Sequence, residues 1–412
     1  MKKIKHLILH IGTRKTGSTS IQETLGRSRE ALLEHNIYYP AIKPYNHIFS
    51  FLPIFMKDPT DAPYFKRALQ SSEDIHLKVR RYREAWVKEI ERCEQDHFVI
   101  SAEEFTQPHF AEDAVSRLKS FAEQYFEKIT LIVYVRHYDQ LISSQIQQEV
   151  MTGYRTAGIE EFVQEYLNCP SKISYKESLE KWINVFGREN LIVRPFDPEM
   201  FHNNSLLADF FYSLGLPAEE ISISEIRTNQ SLGKHAVNFL LKYNQAYPLF
   251  VNDSINPERG MAKFRYPGYL YRNIVGERFN LKVIYSPEQA RKFNEEIDYV
   301  NQFFTDGYQF HQVTPGNGEI DVSEAGDIPV EYFVELINNY NKQIETLQDR
   351  NLFLREQNAT FQEKMTLLQE QNAYYRRIVD VLRIPLIMRV LEKLKLKRFI
   401  QILTKWISHE EN

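Results

Sequence analysis

The run from His10 to Ser20, His-Ile-Gly-Thr-Arg-Lys-Thr-Gly-Ser-Thr-Ser, gathers the residue types that hold a phosphate-like group. Gly12 and Gly17 permit a tight backbone turn, and Lys15 supplies a cation with Arg14 beside it. Thr13, Thr16, Ser18, Thr19 and Ser20 supply hydroxyls. An apolar stretch, Leu7 to Ile11, precedes the run and a helical pattern follows it. The unpaired N–H groups of the first helical turn and the positive end of the helix dipole should therefore face the same anion. The two glycines have the spacing of a triphosphate-binding loop, GxxxxGK[ST]. Yet Ser18 follows Gly17, and the lysine stands before that glycine instead of after it. The cation and the adjoining Mg²⁺-binding hydroxyl of a triphosphate site are out of place.

The order Lys-Thr-Gly-Ser-Thr-Ser over residues 15–20 instead resembles the 5′-phosphosulfate loop of sulfotransferases that use 3′-phosphoadenosine 5′-phosphosulfate (PAPS). A second element resembles that family's 3′-phosphate motif: the apolar run Leu131 to Val135, Arg136 at its end, and Ser144 eight residues on. An arginine offers phosphate a fork of donors, and a serine about two helical turns later can face the same group. Less specific blocks resemble bacterial-type, carbohydrate sulfotransferase-like proteins: Trp182 with Phe186 and Gly187, Glu189 to Phe196, Asp209-Phe-Phe, and Arg227 to Leu232. The resemblance spans approximately residues 1–310 and does not reach the C-terminal part.

The resemblance implies PAPS as donor substrate, adenosine 3′,5′-bisphosphate as product, and no required metal. It implies that Lys15 neutralises charge on the bridging oxygen, that Arg136 and Ser144 hold the 3′-phosphate, and that Arg227 contributes to the nucleotide site. A general base must take the acceptor's proton. In carbohydrate-acting relatives it is a glutamate after the second strand, which here implies Glu103, with Glu104 as the alternative. A histidine base, as in small-molecule relatives, would be His6, His10, His47 or His109. The acceptor implied is a hydroxyl on a carbohydrate or glycolipid. Two other readings stay open at this point: a nucleotide-dependent kinase using the same loop, and a non-catalytic dimeric scaffold.

These residues need a frame, and the sequence predicts an α/β one. Short β-branched or aromatic runs at Leu7–Ile11, Phe98–Ser101, Ile129–Val135 and Asn190–Arg194 read as strands. Helical patterns lie between them at Ser20–Asn36, Leu77–Asp96, Glu112–Phe126, Gln140–Met151 and Tyr175–Phe186, with Gly187 stopping the last. The expected unit, residues 1–312, is a P-loop-like, three-layer domain on a mostly parallel sheet. Net charge is only −4, which gives no sign of a nucleic-acid partner. The two cysteines, Cys93 and Cys169, show neither disulfide nor zinc spacing.

Residues 313–330 are rich in Gly, Pro, Asp and Glu and read as a linker. Over 331–382 a heptad takes over, with Ile337, Ile344, Asn351, Asn358, Met365, Asn372 and Val379 at a. Tyr340, Leu347, Leu354, Phe361, Leu368, Tyr375 and Leu382 occupy d. The three asparagines at a match the device that fixes one register in a parallel dimer, so a homodimeric coiled coil is expected. Pro385 ends that helix, and residues 383–412 form a basic amphipathic pattern. It suits either an anionic membrane surface or a cap on the dimer. No run approaches the roughly 18–20 apolar residues of a span. The expected location is cytoplasmic, with the tail offering a peripheral seat on the inner face of the membrane.

Overall fold

The computed structural model describes residues 3–42, 45–62, 65, 72–107, 109–153, 158–169, 171, 173–221, 223–226, 232–251, 254–256, 277–305, 307–316, 330–382, 393, 397 and 398. Two units are distinguished, Met1–Tyr332 and Phe333–Asn412. The first is built on five strands: β1 (Ile4–His10), β2 (Ile37–Tyr38), β3 (His97–Ser101), β4 (Phe126–Val135) and β5 (Leu191–Pro195). They lie in the order β2-β3-β1-β4-β5, and every pairing is parallel. Parallel neighbours need crossovers. Between the strands run α1 (Ser18–Arg27), α2 (Arg29–Glu34), α3 (Ser72–Glu91), α4 (Glu112–Tyr125), α5 (Tyr138–Thr152), α6 (Ile159–Asn168) and α7 (Tyr175–Phe186). After β5 come α8 (Leu206–Ser213), α9 (Lys234–Ala246), the small antiparallel pair β6 (Phe250–Val251) and β7 (Ser254–Ile255), and α10 (Pro287–Asn301).

The central strands are apolar on both faces, as a sheet covered by helices on each side requires. Leu7 and Leu9 of β1, Phe98 and Ile100 of β3, and Leu131 and Val133 of β4 enter a large core with α3, α4, α5 and α7. The intervening Ile8, Val99, Ile132 and Tyr134 point the other way, onto α1, α2 and α8. That two-residue alternation makes three layers from one sheet.

The strand and helix expectations differ from the structure mainly at their ends. The predicted helix Ser20–Asn36 is two helices, broken at Ser28 (φ −108°, ψ 23°), and Tyr45 packs against Gly26 just before the break. The predicted Leu77–Asp96 helix starts earlier and stops at Glu91. Gly187, at φ 88°, ends α7. Strand β2, only two residues long, carries no readable alternation and is absent from the sequence expectations.

Val313 is buried and exchanges both backbone bonds with the Asn294 side chain. Helix α11 (Val330–Leu382) is continuous for 53 residues. Most of residues 383–412, and the expectations placed on them, lie outside the described residues. Among the described residues no helix is long and apolar enough to cross a membrane.

Candidate active site

Register places the chemistry. His10, the last residue of β1, pairs with Ser101 of β3 and Ile132 of β4. The segments leaving these neighbouring strands, 11–20, 102–110 and 136–144, therefore emerge at the same carboxyl edge of the sheet. Ligands of open parallel sheets bind at that edge.

The loop after β1 is held open by backbone geometry. Gly17 (φ 75°) precedes α1 in the left-handed region, and a methyl group there would stand 2.3 Å from Leu206 Cδ2 and 2.9 Å from Phe196 Cε2. Lys15 also has a positive φ, 65°. At Gly12 a Cβ would lie 2.6 Å from Ser18 Oγ. Changing Gly17 to alanine is expected to lower stability by about 2–4 kcal/mol, combining left-handed strain with overpacking. Urea unfolding measures that loss, and nucleotide binding should fall with it.

Helix α1 has no side-chain cap and no acid in its first turn, which leaves its amino end to an outside anion. The loop hydroxyls mostly face inward. Thr13 Oγ1 donates to the Tyr134 carbonyl (2.7 Å), Thr16 Oγ1 to the Thr13 carbonyl (2.8 Å), and Ser18 Oγ to the Thr13 carbonyl (3.4 Å). Thr16 is wholly buried, and Ser18 and Ser20 are buried as well; the bonds of Thr16 and Ser18 to the Thr13 carbonyl brace the loop. Thr19 is half-buried and Arg14 exposed.

Lys15 reaches across to α5, where its Nζ donates to Gln148 Oε1. Its pKa is brought down to about 8, first by burial, with Glu103 opposing the shift and Arg136 and Arg14 adding to it. All three charged groups thus act on the same ammonium. Above pH 8 Lys15 loses its charge in the free protein, and its attraction for an anion goes with it. Binding of adenosine 3′,5′-bisphosphate should weaken by up to about tenfold from pH 7 to 9, the factor for loss of one required proton. Calorimetry across that range, with Lys15→Met giving a flatter profile, checks the assignment.

Arg136 follows the last residue of β4. Its backbone N–H donates to the Tyr175 hydroxyl oxygen (2.9 Å), and that hydroxyl donates to the Arg136 carbonyl (2.8 Å). The guanidinium lies 4.7 Å from the centre of the Phe196 ring, the same ring that closes on Gly17. Its Nε is buried without a hydrogen-bond partner among the described residues, and burial lowers its pKa. A partly desolvated guanidinium whose buried Nε lacks a partner is electrostatically suited to a nearby anion. Ser144 is half-buried on α5, one turn before Gln148, and so shares the face that Lys15 touches.

Glu103 is half-buried in the short turn Glu103–Thr106 after β3. That turn is anchored from both sides. Thr106 Oγ1 donates to the Gly12 carbonyl (3.4 Å), and Trp182 Nε1 donates to the Phe105 carbonyl (3.3 Å). Lys181 Nζ donates to the Gln107 and Phe110 carbonyls (2.8 and 2.9 Å). Glu104 shares the turn, but its side chain lies outside the described residues, as does Arg227.

Three of the histidine candidates, His6, His10 and His47, are poorly suited to take a proton. Burial lowers His10 and His47 to about 3, and burial with nearby Lys128 lowers His6 to about 4. His10 Nδ1 pairs with Ser101 Oγ (2.8 Å) and His47 Nδ1 accepts from the Ser101 N–H (3.3 Å). His109 is half-buried. Gln148, Phe196 and Tyr175 carry no site role in the sequence reading, Phe196 entering only as the end of a resembling block and Tyr175 as a helix start. Gln148 had one signal, its i+4 spacing from Ser144.

At its carboxyl edge the three-layer parallel sheet carries a helix start with no side-chain cap, a lysine, and an arginine whose Nε has no partner among the described residues, an arrangement suited to anionic groups. No protein-family profile matches the chain. An uncharacterized protein of Archaeoglobus fulgidus is 24% identical over 263 residues, covering 63% of this chain and 68% of that one. A sulfotransferase from Alicyclobacillus acidocaldarius, known from a crystal structure, is 15% identical. The likeness covers 60% of this chain and 94% of that one, with a TM-score of 0.33. At that level, assignment of function is left to the geometry of the site.

Proposed function

We propose that the chain is a sulfotransferase that takes its sulfuryl group from PAPS. The observation that supports the reading is Arg136: its backbone is held by Tyr175, and its guanidinium, with a buried and unpartnered Nε, stacks on Phe196 beside the Lys15 loop. It calls for a second anion near the first, which a nucleotide with both 5′- and 3′-charged groups supplies.

In this reading the 5′-phosphosulfate meets the N–H groups opening α1, and the 3′-phosphate meets Arg136 and Ser144. An acceptor hydroxyl oxygen attacks sulfur as the bond from sulfur to the bridging oxygen breaks. The bonding pair leaves on adenosine 3′,5′-bisphosphate, Lys15 offsets that charge, and Glu103 takes the hydroxyl proton. Gln148 holds the Lys15 ammonium in place until the donor arrives. The acceptor is a carbohydrate or glycolipid hydroxyl. The test is transfer of labelled sulfur from PAPS to a glycan panel, alongside binding of Mg·ATP. Tighter binding of Mg·ATP than of the bisphosphate, with no transfer, favours the kinase reading.

The long helix supports a homodimer. At d, Leu347, Leu354, Phe361 and Leu368 are each more than half exposed on the single chain, and Asn351, Asn358 and Asn372 at a are exposed too. A second copy in parallel register covers this seam. Sedimentation of the full chain should give a dimer, and Leu354→Glu with Phe361→Glu should give a monomer. A monomeric wild-type chain refutes the pairing.

A further inference from the structure

The start of α5 brings together three side chains of metal-ligating type from two distant parts of the chain. His137, the residue before α5, and Asp139, in its first turn, meet His311, which lies on the segment that follows α10. A ring nitrogen from each histidine and a carboxylate oxygen of Asp139 all fall within 4.8 Å of one another. The two imidazoles lie nearly parallel, 4.1 Å between centres and 19° between planes. Asp139 suits the positive end of a helix by itself, but helix polarity gives no reason for a second imidazole laid against the first.

The surrounding hydrogen bonds decide which atoms are on offer. His137 Nε2 lies 3.0 Å from the His311 carbonyl, which can only accept, so the proton of that ring sits on Nε2. The lone pair is then on Nδ1, which stands 3.7 Å from Asp139 Oδ2, too far for a hydrogen bond. The bond that Nδ1 accepts from the Asp139 N–H is long, at 3.4 Å. Asp139 Oδ1, the other carboxylate oxygen, accepts from the Tyr285 hydroxyl at 2.6 Å. An imidazole tied through its second nitrogen to a carbonyl, and a carboxylate steadied by a hydroxyl, are the outer contacts that orient metal ligands. The backbone around His311 is held too. Phe310 exchanges two bonds with the Asn301 side chain (2.8 and 3.0 Å), and the Gly316 N–H donates to the Tyr285 carbonyl (2.8 Å). His137 is buried, Asp139 half-buried and His311 exposed. The His311 ring is therefore free of close packing on one side, and its rotation can bring the three atoms to the roughly 3.3 Å spacing of ligands around a tetrahedral zinc.

We infer that His137 Nδ1, Asp139 Oδ2 and a ring nitrogen of His311 form a binding site for a divalent transition ion such as Zn²⁺, with a fourth position left for water. Two nitrogens and one oxygen suit that class of ion, whereas Mg²⁺ and Ca²⁺ take oxygen sets. The bound ion joins the start of α5 to the segment 307–316. None of the three ligands is placed in sulfuryl transfer, so the inference stands apart from the donor reading. The test is calorimetric titration of the untagged full chain, stripped with EDTA, using Zn²⁺ and then Mg²⁺. One Zn²⁺ should bind per chain, and Mg²⁺ should give no binding heat. His311→Ala and Asp139→Asn should each weaken Zn²⁺ binding by about 100-fold or more, and Tyr285→Phe, which removes an outer contact, by about tenfold. His76→Ala, at an exposed histidine outside the group, should change it less than about twofold. A urea midpoint unchanged in the absence of metal shows that each variant is folded. His311 is exposed and Asn keeps the acceptor for Tyr285, so at least one ligand variant is expected to pass that check. Lack of one-to-one Zn²⁺ binding, a loss of less than about tenfold in a folded ligand variant, or an equal loss in His76→Ala overturns the site.

Discussion

Replacing Lys15 with methionine is expected to slow sulfuryl transfer by about 100- to 1000-fold, the usual cost of deleting one preorganised charge at a developing oxyanion. The effect should fall on the chemical step. Negative charge grows on the bridging oxygen only as the sulfur bond breaks, so a cation aimed there favours the transition state over bound donor. Binding of adenosine 3′,5′-bisphosphate should weaken by no more than about tenfold at neutral pH, in keeping with one titrating lysine. Single-turnover rates beside calorimetric affinities separate the two quantities. An equal loss in both would make Lys15 a binding residue alone. Methionine keeps most of the unbranched stem while removing Nζ and its bond to Gln148, so the left-handed backbone at residue 15 is changed little.

The second large effect is at Arg136, and it has two parts of unlike sign. Arg136→Ala should weaken bisphosphate binding by about 100-fold, since one or two charge-assisted bonds of about 1.5–3 kcal/mol each disappear. Folding stability should hold steady or rise, because the folded protein carries this cation desolvated, with its Nε unpartnered among the described residues. A structural arginine gives the opposite pattern, with unfolding made easier and ligand affinity intact. Calorimetry and urea denaturation of the same variant distinguish them.

Much of the frame was legible because its signals are local. The apolar runs of β1, β3, β4 and β5 are short and β-branched, and α7 ends at a glycine whose φ of 88° suits no other residue well. Helix boundaries were harder. The break at Ser28 and the packing of Tyr45 on Gly26 join residues that no periodicity links. The site divides the same way. The loop and Arg136 stand out by residue type and order, whereas Phe196 touches both only through the fold. The sequence also presents the loop hydroxyls as a row of donors, while the structure turns Thr13, Thr16 and Ser18 onto backbone carbonyls. Nor does residue type distinguish a buried histidine from a base. His10 and His47 lie beneath the sheet edge, where burial keeps them neutral.

The most direct test of the donor assignment compares two ligands that differ by one phosphate. Adenosine 3′,5′-bisphosphate and AMP share adenine, ribose and 5′-phosphate, so the ratio of their affinities isolates the 3′-group that Arg136 is proposed to hold. Titration calorimetry on the wild-type chain should favour the bisphosphate by about 100-fold, the same charge-assisted increment that Arg136→Ala removes. Equal affinity for the two ligands, or a preference for AMP, would contradict the account.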